Sequence, residues 1–200
     1  MLAIIDYGAG NLFSVKNALD FLSVESVITA DPRVLHTADG LILPGVGAFP
    51  DAMRRLLDTG LVPVIQEQAQ QKPLLGICLG MQLLFEESFE FGRTQGLGFI
   101  PGVVQLIQAK GLKIPHMGWN DLTVLHPCAL TAQTQDGDYV YFIHSYRAET
   151  EQAYVSCYTT YGEQIPALVH KGMVYGAQFH PEKSGEVGLT MLKNFARLCQ

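Results

Sequence analysis

Charge is scarce in this 200-residue sequence: Asp, Glu, Lys and Arg together make up 16% of it, with 13 basic and 19 acidic side chains and a formal charge of −6 at pH 7. No basic stripe tracks a phosphate backbone, which argues against nucleic acid as a partner. No apolar run approaches the ~20 residues that a membrane-crossing helix needs, so no membrane partner is expected. The apolar start Met1–Ile5 meets Asp6 at once, without a basic flank or a cleavage site. That pattern reads as an unexported chain with a cytoplasmic address. The sequence also lacks any C-x-x-C pair: Cys78, Cys128, Cys157 and Cys199 stand far apart, as reduced thiols do. Nor is there an H-E-x-x-H, so neither a metal site nor a cofactor is expected. A linker rich in Ser or Pro, an internal repeat and a charge block are all missing, which predicts a single domain over residues 1–200.

Apolar residues are plentiful, at 48%. In the first half they form short runs at Leu2–Ile5, Val24–Thr29, Leu41–Leu43 and Pro73–Ile77, separated by stretches with helical spacing. Leu12, Val15, Ala18, Leu19 and Leu22 make one such face. Met53, Leu56 and Leu57 begin another, a third spans about 64–71, and a helix over Leu79–Glu86 is predicted after the fourth run. Continuous apolar strands alternating with helices predict a parallel sheet covered on both faces. The second half is rich in Val, Tyr and Thr, in runs at Val103–Ile107, Asp121–Leu125, Tyr139–Ile143, Tyr154–Thr160, Ala167–His170 and Met173–Gln178. Turn residues separate these runs, so they predict antiparallel strands added to the core, and Val187–Leu198 closes the chain as a helix. The predicted class is α/β: three layers, a mostly parallel central sheet, helices on both faces and antiparallel additions in the second half.

The strongest local signal is Gly76-Ile77-Cys78-Leu79-Gly80, a G-x-C-x-G running from an apolar strand into a helix. A sharp turn there lifts a nucleophile above the sheet edge, and the flanking glycines leave room for it. Alone, Cys78 could as well be a small apolar residue of a buried strand. A cysteine nucleophile needs a base, and the base needs an orienting group. Gln178-Phe179-His180-Pro181-Glu182 supplies both just past a strand end, where α/β sites gather. His180 and Glu182 could equally be a solvated surface pair. Taken with the cysteine turn, they make a Cys-His-Glu triad. Backbone N–H groups at Leu79 and in Pro44-Gly45-Val46-Gly47 are candidates for an oxyanion hole, although the latter also suits an ordinary turn. Gly8-Ala9-Gly10 lacks the third glycine of a dinucleotide fingerprint, since Phe13 stands in its place.

With those residues in view, the chain resembles the class I, triad-type glutamine amidotransferases. Within them it is most similar to the glutaminase subunits of imidazole glycerol phosphate synthase. PGVGAF at Pro44–Phe49, GICLGMQ at Gly76–Gln82, PHMGWN at Pro115–Asn120, YFIHSY at Tyr141–Tyr146 and QFHPEKS at Gln178–Ser184 carry the resemblance. It implies Cys78 as nucleophile, His180 as general acid/base and Glu182 as its orienting partner, with Val46, Gly47 and Leu79 forming the oxyanion hole. It also implies that Gln82, His144, Ser145 and Tyr146 contact substrate L-glutamine. Trp119, Asn120 and Lys183 would face a separate barrel-shaped cyclase subunit near an ammonia exit, in a heterodimer. Arg147 departs from the pattern, where relatives more often carry an aromatic residue. The same triad would also serve a stand-alone cysteine hydrolase or an amidotransferase feeding another synthase.

Overall fold

The computed structural model describes all 200 residues, Met1–Gln200. Four apolar runs become parallel strands: β1 (Leu2–Ile5), β2 (Ser26–Thr29), β3 (Gly40–Gly45) and β4 (Leu74–Cys78). The crossovers hold α1 (Leu12–Phe21), α2 (Pro32–Thr37), α3 (Phe49–Asp58) and α4 (Val62–Gln68), and α5 (Leu79–Leu83) leaves β4 directly. Then follow β5 (Phe85–Ser88), β6 (Thr94–Gln95), β7 (Ile100–Leu106), β8 (His116–Asp121), β9 (Thr123–Val124), β10 (Tyr139–His144) and β11 (Tyr146–Glu149). The chain ends with β12 (Val155–Tyr161), β13 (Glu163–Lys171), β14 (Val174–Ala177) and α6 (Gly185–Leu198).

The central sheet has eight strands in the order β2-β1-β3-β4-β14-β13-β12-β9. It is parallel as far as β14 and antiparallel beyond it. Every residue of β1, β3 and β4 is buried, as strands covered on both faces must be. Side-chain alternation splits them between two cores. Ala3, Ile5, Leu41 and Leu43 pack with residues of α2, α3 and α4. Leu2, Ile4, Ile42 and Leu75 pack with Val15, Leu19, Leu192 and Phe195 of α1 and α6. The α/β class, its mostly parallel sheet and its antiparallel additions are therefore as expected.

Three details differ from expectation. The helix after Cys78 stops at Leu83, and Phe85–Ser88 pairs as a strand with β7 in a second, four-stranded sheet. Burial of Phe85 in the core outweighs the helical preference of its Leu and Glu neighbours. The run Asp121–Leu125 is split, with β8 pairing with β10 in a separate two-stranded ribbon and β9 joining the main sheet. Between β2 and β3, Asp31-Pro32 starts α2, a helix not predicted from the sequence: Asp31 accepts the Arg33 N–H at 2.9 Å, and Pro32 takes the first helical position.

Three glycines let α5 lie against β3. A Cβ on Gly80 would stand 1.8 Å from the Leu43 carbonyl oxygen. One on Gly76 would stand 2.6 Å from the Gly80 oxygen, and one on Gly45 would stand 2.6 Å from the Gly80 nitrogen. Backbone meets backbone at each point, so no side chain can move aside. Gly80→Ala should therefore lose about 3 kcal/mol or more, a melting-temperature drop of roughly 6–12 °C for a chain of this length. Gly47→Ala is the control, because nothing lies within 4 Å of its Cβ and only its φ of +100° opposes the change. Calorimetry showing Gly80→Ala as stable as wild type would contradict this packing.

Candidate active site

β4 ends on Cys78, which takes φ 55° and ψ −112° and caps α5. A non-glycine residue held there stores about 1–3 kcal/mol, and such strain gathers at functional sites. β3 and β14 lie on either side of β4, all three parallel, so their C-terminal ends open at one edge. Past β3 come Val46 and Gly47. Past β14 come Gln178, Phe179 and His180.

The backbone clamps His180: its N–H donates to Tyr141 O at 2.9 Å, and Ser184 Oγ donates to its carbonyl at 2.6 Å. Pro181–Lys183 form a 3-10 turn that brings Glu182 round, so that His180 Nδ1 lies 2.8 Å from Glu182 Oε1. The Glu182 side chain is fully buried and the His180 side chain nearly so. A carboxylate only accepts, so Nδ1 carries the proton and Nε2 is left to face Cys78. Nε2 is buried and makes no hydrogen bond of good geometry, although Cys78 is close enough to stabilise an imidazolium. Burial is the largest influence on this ring and disfavours its charge. The hydrogen bonds and charges of Cys78 and Glu182 outweigh it and raise the His180 pKa to about 9.

One cavity of about 320 Å³ collects these groups. Cys78 and His180 line it together with Val46, Gly47, Leu79, Gln82, His144, Ser145 and Tyr146. Every expected oxyanion and substrate contact thus borders the sulfur's cavity. Glu182 stands behind His180. Trp119, Asn120 and Lys183 lie outside: Trp119 is exposed beside Tyr141, while the Asn120 side chain turns inward to His116 and Thr160. Arg147 is also elsewhere, paired with Glu149 at 3.0 Å and Glu163 at 2.9 Å.

Two groups were missed from sequence. Glu90 lines the cavity as its one carboxylate, holding the Phe49 N–H at 2.7 Å, and burial raises its pKa despite that bond. It can receive an ammonium group. No pattern around Phe89-Glu90-Phe91 announces it. Gln178 is fully buried, accepts from Gln82 Nε2 at 3.0 Å and points its amide nitrogen at Cys78 Sγ from 4.0 Å. It stands inside the QFHPEKS motif, two residues before His180, which was signal enough. Behind the β3 exit, Tyr7 donates to Pro44 O at 2.9 Å, and burial, then the neighbouring Cys78, keeps its phenol protonated. No group of three or more His, Cys, Asp or Glu side chains stands together as metal ligands would. The arrangement suits nucleophilic attack by sulfur on a carbonyl, with a buried imidazole shuttling the proton.

The family profile of class-I glutamine amidotransferases matches residues 3–199. "Imidazole glycerol phosphate synthase subunit HisH" of Streptococcus mutans is 55% identical over 201 residues, covering 100% of both chains. The protein of the same name from Bacillus cytotoxicus is 52% identical over 196 residues, 98% of this chain and 93% of the other. Among solved structures, PurLQS from Thermotoga maritima superposes with a TM-score of 0.77 at 21% identity, covering 100% of this chain and 98% of that one. A structure described as a glutamine amidotransferase gives 0.76 at 20% identity, with 98% of each chain covered. At those identities the structural likeness speaks for the fold alone.

The raised imidazole pKa has a definite sign. A folded-state value above the ordinary 6.5 stabilises the chain fully below pH 6.5, and that contribution is lost as the pH rises through about 9. An NMR titration should find His180 with a midpoint near 9, and Glu182→Gln should lower it by removing a charge that favours the imidazolium. A wild-type midpoint at or below 6.5 would contradict the pairing.

Proposed function

Because the chain belongs to the class I glutamine amidotransferase family, we propose that it is the glutaminase subunit of an imidazole glycerol phosphate synthase. It hydrolyses L-glutamine to glutamate and ammonia and passes the ammonia to a separate cyclase subunit in histidine biosynthesis. The observation that carries this reading is the single cavity bordered by Cys78, His180, the Val46–Gly47 exit and the Gln82 and His144–Tyr146 walls.

The reaction follows from those groups. The Cys78 thiolate attacks the side-chain amide carbon of glutamine, and the carbonyl oxygen becomes an oxyanion. Backbone N–H groups of Leu79 and the Val46–Gly47 exit hold it, each worth about 10²–10³ in rate. His180 gives its Nε2 proton to the departing nitrogen, ammonia leaves and a γ-glutamyl thioester remains. Neutral His180 then takes a proton from water, the hydroxide attacks the thioester, and glutamate departs as the thiolate re-forms. Glu182 holds the imidazole and balances its charge throughout. At the far end of the substrate, Glu90 suits the α-ammonium. The Gln82 amide nitrogen is already committed to Tyr146 O at 2.9 Å and to Gln178, so its oxygen is the atom left to accept.

Partner docking is supported by the outer face of the β8–β10 ribbon. Met117 pairs with Ile143 and Trp119 with Tyr141, and exposed Met117, Trp119 and Ile143 form an apolar ridge that reaches the cavity at Ile143. The cyclase is a separate chain on this reading, since a barrel needs about 250 residues of its own. Lys183 follows Glu182 in the same 3-10 turn and is exposed. No helix is long and apolar enough to cross a membrane, and four free cysteines fit a cytoplasmic address. The Val46–Gly47 exit is exposed and unobstructed at Gly47, which leaves its peptide free to reorient when the partner docks. The isolated chain is then a poor glutaminase.

Two measurements test the reading. Cys78→Ala should abolish glutamine-dependent synthesis by the complex while ammonia-dependent synthesis by the cyclase continues. Normal glutamine turnover in that variant would refute the thioester route. Steady-state glutaminase rates should rise when the cyclase is added, and strong, equal rates without it would point to a stand-alone hydrolase.

A further inference from the structure

Behind the cavity wall runs a chain of hydrogen bonds in which every proton position is fixed. Asn120 Oδ1 accepts the Asp121 N–H at 3.0 Å, which sets the orientation of its amide. Its Nδ2 donates to Thr160 O at 3.1 Å and faces His116 Nε2 at 3.2 Å. A donor opposite Nε2 makes that nitrogen an acceptor, so the His116 proton is on Nδ1. Nδ1 lies 3.0 Å from His144 Nε2, which must accept, so the His144 proton is also on Nδ1. There it meets Tyr146 O at 2.8 Å, a carbonyl that can only accept. Both ends of the chain demand the same two tautomers.

Its components are as constrained in space as in protonation. His116 is buried between the rings of Phe142, 4.7 Å away, and Tyr161, 4.2 Å away, both nearly parallel to it. Burial pushes His116 down to about 4, and His144 is driven lower still, again mainly by burial. Both rings therefore stay neutral.

We propose that His116, aided by Asn120, is a positioning residue for glutamine hydrolysis, anchoring Nε2 of neutral His144 while Tyr146 O holds its Nδ1–H, and so fixing the Ile143–Tyr146 wall of the cavity. This rests on the glutaminase reading above and adds to it. The wall matters in three ways. Tyr146 O also binds Gln82 Nε2 at 2.9 Å, and Ile143 O lies 3.8 Å from Cys78 Sγ. A charged His144 would oppose the imidazolium that His180 must carry, since the two rings repel when both are protonated. The outward side chains of the same ribbon are the apolar ridge of Met117, Trp119 and Ile143, so its two faces serve different ends.

The test uses the complex with the cyclase. His116→Phe keeps a ring between Phe142 and Tyr161 but removes the donor, leaving His144 Nε2 without a partner. kcat/KM for glutamine should fall about 10- to 100-fold, the range for one buried hydrogen bond, while ammonia-dependent synthesis is unchanged. His116→Asn puts an amide nitrogen near the Nδ1 position and should recover most of the loss. Nitrogen-15 NMR should show His144 protonated at Nδ1 in all three proteins, because Tyr146 O still demands it, with the Nε2 signal moved to that of a nitrogen without a hydrogen bond in His116→Phe alone. A merely structural role would move neither the Nε2 signal nor the glutamine-to-ammonia ratio. Wild-type kcat/KM in His116→Phe, or a wild-type His144 protonated at Nε2, would overturn the proposal. If His116→Phe does not fold, Asn120→Ala carries the same comparison, with a several-fold loss expected and an unchanged rate contradicting it. A wild-type complex that turns over no glutamine at all would overturn the functional reading, whereas turnover that His116→Phe leaves intact would overturn only the positioning role.

Discussion

Everything in this molecule's chemistry depends on one backbone crossing, where Gly80 of α5 passes beneath the carbonyl of Leu43 in β3. The approach leaves no room for a methyl group, and because of it β4 can turn into a helix within a single residue. That residue is Cys78, at a positive φ between the fully buried strands β3 and β14. The strain is local and the core around it is extensive, so the fold absorbs it. Sheet order does the rest. With β3, β4 and β14 adjacent and parallel, the loop after β3, the thiol after β4 and the imidazole after β14 open on one edge in that order. Residues as distant in sequence as Gly47, Cys78 and His180 come to border one cavity.

The electrostatics follow from burial. Placing an imidazole and a carboxylate out of water is costly unless each stabilises the other's charge. His180 and Glu182 do so at 2.8 Å, and the net effect is an imidazole that keeps its proton more firmly than in water. His144, at the ribbon's end, shows the opposite case: buried without a carboxylate, it stays neutral. Two histidines bordering the same cavity are thus set to different charge states by what stands behind each, a glutamate for one and another histidine for the other.

Much of this was legible in the sequence, for physical reasons that differ from residue to residue. The turn at Gly76–Gly80 announced itself because close backbone approach demands glycine, and the crossing at Leu43 accounts for that demand. His180 and Glu182 were readable because both lie within one short turn. The buried strands were readable because two-sided burial leaves unbroken apolar runs. What escaped notice depends on contacts between distant segments. Nothing local marks Glu90 as a cavity residue, since it is the capped start of α3 that draws it in. The early end of α5 is decided by a second sheet that only forms later in the chain. Asn120 was expected on a partner-facing surface, but the alternation of β8 sends its side chain inward to His116 while Trp119 faces out.

The central claim is that geometry, and not exposure, makes Cys78 the reactive thiol. Of the four cysteines, Cys128 and Cys199 are more exposed, whereas Cys78 and Cys157 are buried. Treatment with a diazo-ketone analogue of glutamine followed by peptide mapping separates the two possibilities. Alkylation should be confined to Cys78 and should disappear in His180→Asn. Label appearing on Cys128 or Cys199 with Cys78 unmodified would contradict the account.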